Sequence, residues 1–362
     1  MNHRPRLPFL VIASLGVAAL TSCSGGLADD TATASTAATT TTAAATAATA
    51  AATATTTTTT TTVADVPPVE VRAAVAAVGE TIEGIVATPD GRTRSYHLYV
   101  PSALPAGPVP LLIALHGGTG WGVQFQRNSG FDGLAEANGF LVVFPDGVGT
   151  GAQEEDLRTW NGGDCCGAAA RKDVDDVVFV DVLIDEIAGQ YDVDPLRVFA
   201  AGHSNGGILS YRLACELSDR IVAIGLQAGT MGIDECDPAW PVSMLHLHGE
   251  DDTNLPIDGG IGPDSIAGVD FASPRESAAT FAAAMGCGVT PDVAADASNP
   301  DLTITDWAVC GASTEVRFVA VAGAPHAWMG HTPSNPAASP AYQGLDASFE
   351  IVQFLLQHPR TG

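Results

Sequence analysis

The stretch VFAAGHSNGGILSYRL, residues 198–213, constrains the fold of this 362-residue chain more than any other. It runs from a short apolar segment into a serine flanked on both sides by glycine, then into an amphipathic segment. A buried strand that turns at once into a helix brings backbone against backbone, and only glycine leaves room beside such a turn. The turn lifts the serine hydroxyl into the open, and the free N–H groups of the helix start face its oxygen. GHSNG fits the G-x-S-x-G nucleophile elbow, with Ser204 between Gly202 and Gly206.

The surroundings supply the context such an elbow needs. RSYHLYVP, LLIALHG, FLVVFPDG, RVFAAGH, VSMLHLHG and VRFVAVAG read as strands ending in turn residues. Between them FDGLAEANG, DDVVFVDVLIDEIAGQY, NGGILSYRLACEL, SPRESAATFAAAMG and the terminal DASFEIVQFLLQH read as helices, the last capped by Asp346 and stopped by Pro359. Apolar strands alternating with helices predict an α/β domain, a mostly parallel central sheet with helices on both faces, over residues 79–362. Chemistry in such a sheet belongs at the carboxyl ends of its strands.

A serine hydroxyl is inert without a base and a group that orients the base. In the α/β-hydrolase fold the acid and then the histidine follow the serine in the chain. EDDTNLP, after the strand VSMLHLHG, offers Asp251 and Asp252; APHAWMG, after VRFVAVAG, offers His326. The N–H groups of Gly118, in LHGGTG, and of Asn205, after the nucleophile, are the expected oxyanion donors. Trp160, in the long insertion RTWNGGDCCG, and Trp328 are candidate substrate contacts. GVGTGA, residues 147–152, lacks the dinucleotide-binding spacing. His246 and His248 share a strand face but have no third ligand at clear spacing, so no metal and no cofactor is expected.

Composition bears on where the chain works. With 41 acidic against 15 basic residues and a net charge of −26, there is no basic footprint for nucleic acid. Arg4 and Arg6 precede LPFLVIASLGVAAL, which reads as the core of a signal peptide over residues 1–22. LTSC then resembles a bacterial lipobox, with Cys23 as the lipidated residue and this lipid the only expected membrane attachment. Residues 28–64 are almost all Ala and Thr and cannot form a core; residues 23–64 read as a flexible tether. The catalytic domain is therefore expected outside the cytoplasm, as a monomer. Six cysteines remain besides Cys23, and an oxidising compartment favours disulfides. Cys287 with Cys310 is the expected pair. Adjacent Cys165 and Cys166 lie about 3.8 Å apart across a trans peptide, so they are expected to bond elsewhere. Cys215 and Cys236 are left open.

LHGGTG, RTWNGGDCCG with VDDVVFV, GHSNGGILSYRLACELSDRI, LHLHGEDDTNLP and GAPHAWMG together resemble the secreted polyhydroxybutyrate depolymerase-like esterases, related to feruloyl esterases. The likeness runs from about residue 80 to the end. It implies a serine carboxylic-ester hydrolase in which Ser204 is the nucleophile, Asp252 the acid and His326 the base. GAPHAW departs from the usual glycine run before the histidine, and no separate polymer-binding domain follows, which favours small or oligomeric esters over solid polyester. An envelope acyltransferase of the same fold and a non-catalytic tethered binding protein are the alternatives.

Overall fold

A computed structural model of the chain describes residues 79–307, 310–311, 314–333 and 339–361. The signal-peptide, Cys23 and Ala/Thr-tether readings lie outside them. The chain divides after Val69, and every described residue belongs to the second unit, Glu70–Gly362.

In chain order the elements are β1 (Glu80–Ala87), β2 (Thr93–Val100), β3 (Val109–Leu115), α1 (Gly122–Ser129), α2 (Phe131–Asn138), β4 (Leu141–Pro145), β5 (Val148–Thr150) and β6 (Asp156–Thr159). There follow α3 (Gly167–Arg171), α4 (Asp176–Ala188), β7 (Val193–His203), α5 (Asn205–Glu216), β8 (Ala223–Gln227) and β9 (Ser243–Gly249). The chain closes with α6 (Pro274–Ala284), β10 (Asp292–Ala295), β11 (Leu302–Trp307), β12 (Val316–Val321) and α7 (Ala347–Gln357). Ten strands form one sheet in the order β1-β2-β4-β3-β7-β8-β9-β12-β11-β10, and β5 with β6 makes a separate hairpin. From β4 to β12 every neighbouring pair is parallel. The flanks are antiparallel. This is the α/β-hydrolase arrangement.

The period of two along the central strands explains the layering. Leu111, Ile113 and Leu115 of β3 pack with Phe179 and Leu183 of α4 and Phe281 of α6 on one face. Leu112 and Ala114 pack with Phe125 of α1, Phe131 of α2 and Ile351 of α7 on the other. Both faces of β3 are fully buried, so its residues read as one unbroken apolar run. Helix ends carry their own signals. Asp175 caps α4, Ser273 caps α6 ahead of Pro274, and Asp346 caps α7, each side chain accepting from the backbone N–H of the third residue of its helix.

Three disulfides join Cys165 to Cys166, Cys215 to Cys236, and Cys287 to Cys310. The first corrects the sequence expectation. The Cα spacing rule on which that expectation rested describes bridges between separate segments, whereas these two sulfurs close an eight-membered ring within one dipeptide.

Candidate active site

β7 delivers Ser204 directly into α5, with φ +53° and ψ −118° at the serine, a conformation costly for any residue with a side chain. The flanking glycines are required by contact. A Cβ on Gly202 would lie 2.2 Å from the Gly206 carbonyl oxygen, and one on Gly206 would lie 2.3 Å from that of Leu115. The Ser204 N–H donates to the Gln227 carbonyl at 2.9 Å, tying the elbow to the end of β8.

Two further strand ends meet it. Asp252 follows β9 and is buried, whereas Asp251 is exposed. Asp252 Oδ1 accepts the N–H groups of Asn254 at 2.9 Å and Leu255 at 2.8 Å, which leaves Oδ2 to accept from His326 Nδ1 at 2.7 Å. With Nδ1 donating, Nε2 is the acceptor for the Ser204 hydroxyl, at 2.9 Å. Burial raises the Asp252 pKa, but the hydrogen bond and charge of His326 outweigh it, and the carboxyl lies below its usual range.

The loop carrying His326 is pinned by groups that no motif announces. Gln227, fully buried at the end of β8, donates to the Ala327 carbonyl and accepts from the Met329 N–H, both at 2.9 Å. His203 Nε2 donates to the His326 carbonyl at 2.8 Å. Burial drops the His203 pKa to about 4, so the ring is a neutral donor at neutral pH.

The chain brings the two expected oxyanion donors side by side. A Cβ on Gly118 would lie 3.7 Å from Asn205 Cβ. The Thr119 N–H is already taken by the Arg158 carbonyl at 2.7 Å. The Asn205 side chain clamps Trp160: its Oδ1 accepts the Trp160 N–H at 2.7 Å, and its Nδ2 donates to the Trp160 carbonyl at 3.0 Å.

Trp160 itself corrects an expectation. It is fully buried, its indole N–H donates to the His116 carbonyl at 2.9 Å, and its ring stacks on Phe179. A polar tip satisfied inside the core leaves nothing to offer a substrate. The insertion does face the site, through Leu157, Thr159, Cys166 and Ala168. Those residues, with Ile208 and Phe271, line a cleft of about 330 Å³ that includes Ser204 and Asn205. A second cleft of about 560 Å³ shares Gly118 and His326 and is lined by Trp328, His116, Asn128 and Asp264.

Behind Asp252 runs a buried polar line. The Tyr211 hydroxyl bonds His246 Nδ1 at 2.8 Å, His246 Nε2 bonds His248 Nδ1 at 3.2 Å, and His248 Nε2 bonds the Leu255 carbonyl at 2.9 Å. The carbonyl can only accept, so His248 donates from Nε2, His246 donates to His248, and Tyr211 donates to His246. His248 Nε2 also lies 3.6 Å from Asp252 Oδ2. Both imidazoles are thus committed to a hydrogen-bond line. Among the described residues, no group of three His, Cys, Asp or Glu side chains is placed to hold a metal.

Comparison with known proteins points in one direction. The family profile described as Esterase PHB depolymerase matches residues 94–270. Over 307 residues the chain is 31% identical to "Putative esterase NocK" of Nocardia uniformis subsp. tsuyamanensis, covering 80% of this chain and 86% of that one. It is 29% identical over 239 residues to Feruloyl esterase C of Emericella nidulans, covering 64% of this chain and 75% of that protein. Among solved structures, an acetyl xylan esterase from Aspergillus awamori matches with a TM-score of 0.50 at 17% identity, over 68% of this chain and 94% of that one. That last likeness is one of fold.

Proposed function

The chain belongs to the polyhydroxybutyrate depolymerase-like esterase family and is a carboxylic ester hydrolase, and from that premise we propose that it works through Ser204, His326 and Asp252 by way of an acyl-enzyme. His326 takes the Ser204 proton as the oxygen attacks the ester carbonyl, and Asp252 holds the imidazolium that forms. The N–H groups of Gly118 and Asn205 receive the oxyanion; losing one such donor typically costs roughly 3 kcal/mol of transition-state stabilisation. His326 returns its proton to the leaving alcohol. Water, deprotonated by the same ring, then releases the acid and restores Ser204. The observation that carries this reading is the unbroken pair of hydrogen bonds, 2.7 Å from Asp252 to His326 and 2.9 Å from His326 to Ser204.

The reading includes place. Three disulfides in the described domain, together with the signal-peptide reading of residues 1–22, support an enzyme that acts outside the cytoplasm on small or oligomeric esters.

Purified Ser204→Ala should lose about three or more orders of magnitude of activity on p-nitrophenyl butyrate, with its thermal melt intact. The parent should label with a fluorophosphonate probe and the variant should not. Turnover near the parent's in a folded Ser204→Ala would end this mechanism.

A further inference from the structure

The smaller cleft beside Ser204 holds a cation with no counter-ion. The chain has a net charge of −26, and most described basic side chains are matched to a carboxylate. Arg94 meets Asp176 at 2.8 Å, Lys172 meets Glu154 at 2.7 Å, and Arg275 meets Glu250 at 2.9 Å. Three are not: Arg127, Arg360, which donates to backbone carbonyls, and Arg171, which lines a cleft. Among the described residues no carboxylate lies within 4.0 Å of Arg171 and no side-chain hydrogen bond engages it, although Asp173, Asp175 and Asp176 follow closely in sequence.

Arg171 is exposed, but the helix that carries it is fixed. Arg171 ends α3, which starts at the Cys165–Cys166 disulfide and is held at the Ala169 N–H by Thr159 Oγ1 at 3.1 Å. The next residue, Lys172, is spent on the Gly149 carbonyl at 2.9 Å and on Glu154. Arg171 lines the same cleft as Ser204 and Asn205, and among the described residues the rest of the lining includes no Asp, Glu or Lys. The rest of the wall is mainly apolar, with Leu157, Ile208, Leu255 and Phe271. The larger cleft has the opposite character: among the described residues, the one Asp, Glu, Arg or Lys lining it is Asp264.

Taking Ser204 as the nucleophile, we propose that this cleft selects esters whose bound arm is short, apolar and ends in a carboxylate, with Arg171 as the specificity residue. A guanidinium with no carboxylate partner beside an apolar wall offers a fork that matches a carboxylate, and among the described residues no other charged side chain in the cleft competes for it. The overall negative charge would otherwise repel such a substrate.

The test uses two matched pairs that differ only in charge. On the acyl side, monomethyl glutarate is compared with its half-amide; on the alcohol side, O-butyryl glycolate is compared with its amide. The parent should favour the anion in at least one pair by about fivefold in kcat/KM at low ionic strength, the preference shrinking with added salt. Arg171→Gln should abolish that preference while leaving hydrolysis of the neutral amide unchanged, and Arg171→Lys should retain part of it. No anion preference in the parent, or a preference that survives Arg171→Gln, overturns the assignment. So does an equal fall in both members of a pair. Failure of the nucleophile reading shows separately, as neutral-amide hydrolysis that persists in Ser204→Ala.

Discussion

Asn205 shows how much one residue can be asked to do. It starts α5, it presents the backbone N–H expected to meet the oxyanion, and its amide grips the backbone of Trp160 in both directions. A rigid N–H is worth more to a developing charge than a mobile one, because it needs no reorganisation at the moment of reaction. Asn205→Ala keeps that N–H but releases the clamp and leaves two buried Trp160 groups without these partners. Each such group costs about 1–3 kcal/mol, so the melting temperature should fall. The kcat for p-nitrophenyl butyrate should fall on the order of tenfold or more with KM little changed, as expected for loss of an interaction made in the transition state. A melt that drops with kcat intact would mean the clamp is structural only. The sequence announced the Asn205 backbone through the elbow pattern but carried no sign of its side chain's work. The partner lies 45 residues away, and nothing local links Trp160 to it.

Elements were legible in proportion to how far their pattern was local. β3 is a continuous apolar run, and β7, β9 and β12 are mainly apolar over the stretch that approaches their turn residues; each ends beside the site as its sequence implied. β8 was not legible: AIGLQ is five residues long and follows the end of α5 with little punctuation. Its terminal Gln227 is nonetheless what fixes the His326 loop against the elbow. The adjacent cysteines misled because the Cα spacing rule describes bridges between separate segments rather than a ring closed within one dipeptide, and Trp160 misled because an insertion can send its largest side chain inward and face the cleft with smaller ones. The β9 histidines looked like half a metal site; the fold turns them into a line of donors ending at the Asp252 turn. Two substitutions separate stability from positioning along that line. Tyr211→Phe leaves His246 Nδ1 unpaired at the far end and should cost about 1–3 kcal/mol in chemical denaturation, with kcat/KM within a few-fold of the parent. His248→Ala removes the group that touches both Leu255 and Asp252 and should lower kcat as well. Equal kinetic effects from the two would contradict a positioning role for His248.

At the scale of the whole molecule, the same burial that keeps these rings neutral links folding to pH. Burial pushes His116, His203 and His248 to about 4, and His246 well below its ordinary value. The unfolded chain holds these imidazoles near an ordinary pKa of about 6.5, so between about pH 4 and 6.5 it binds more protons than the folded one. Stability rises with pH wherever the unfolded state binds more protons. The four rings' contribution is therefore complete above about pH 6.5 and drains away as the pH falls through that window. Each ring can cost up to about 1.4 kcal/mol per pH unit there. Burial raises Asp132, Asp176 and Glu350, and these groups work in the opposite sense, favouring the fold as they take up protons. Their uptake runs from the raised folded values down to the ordinary carboxylate range near pH 4, so three such groups oppose the four histidines and the histidines outnumber them. Asp252, held low by His326, adds its own loss only below the ordinary carboxylate range. Melting temperature measured at constant ionic strength should thus drop by several degrees between pH 7 and pH 5. A flat or rising melt over that interval would show that the four rings take up protons in the folded state as readily as in the unfolded chain. The buried line behind Asp252 would then have to tolerate charge, and the donor order derived for it would be wrong.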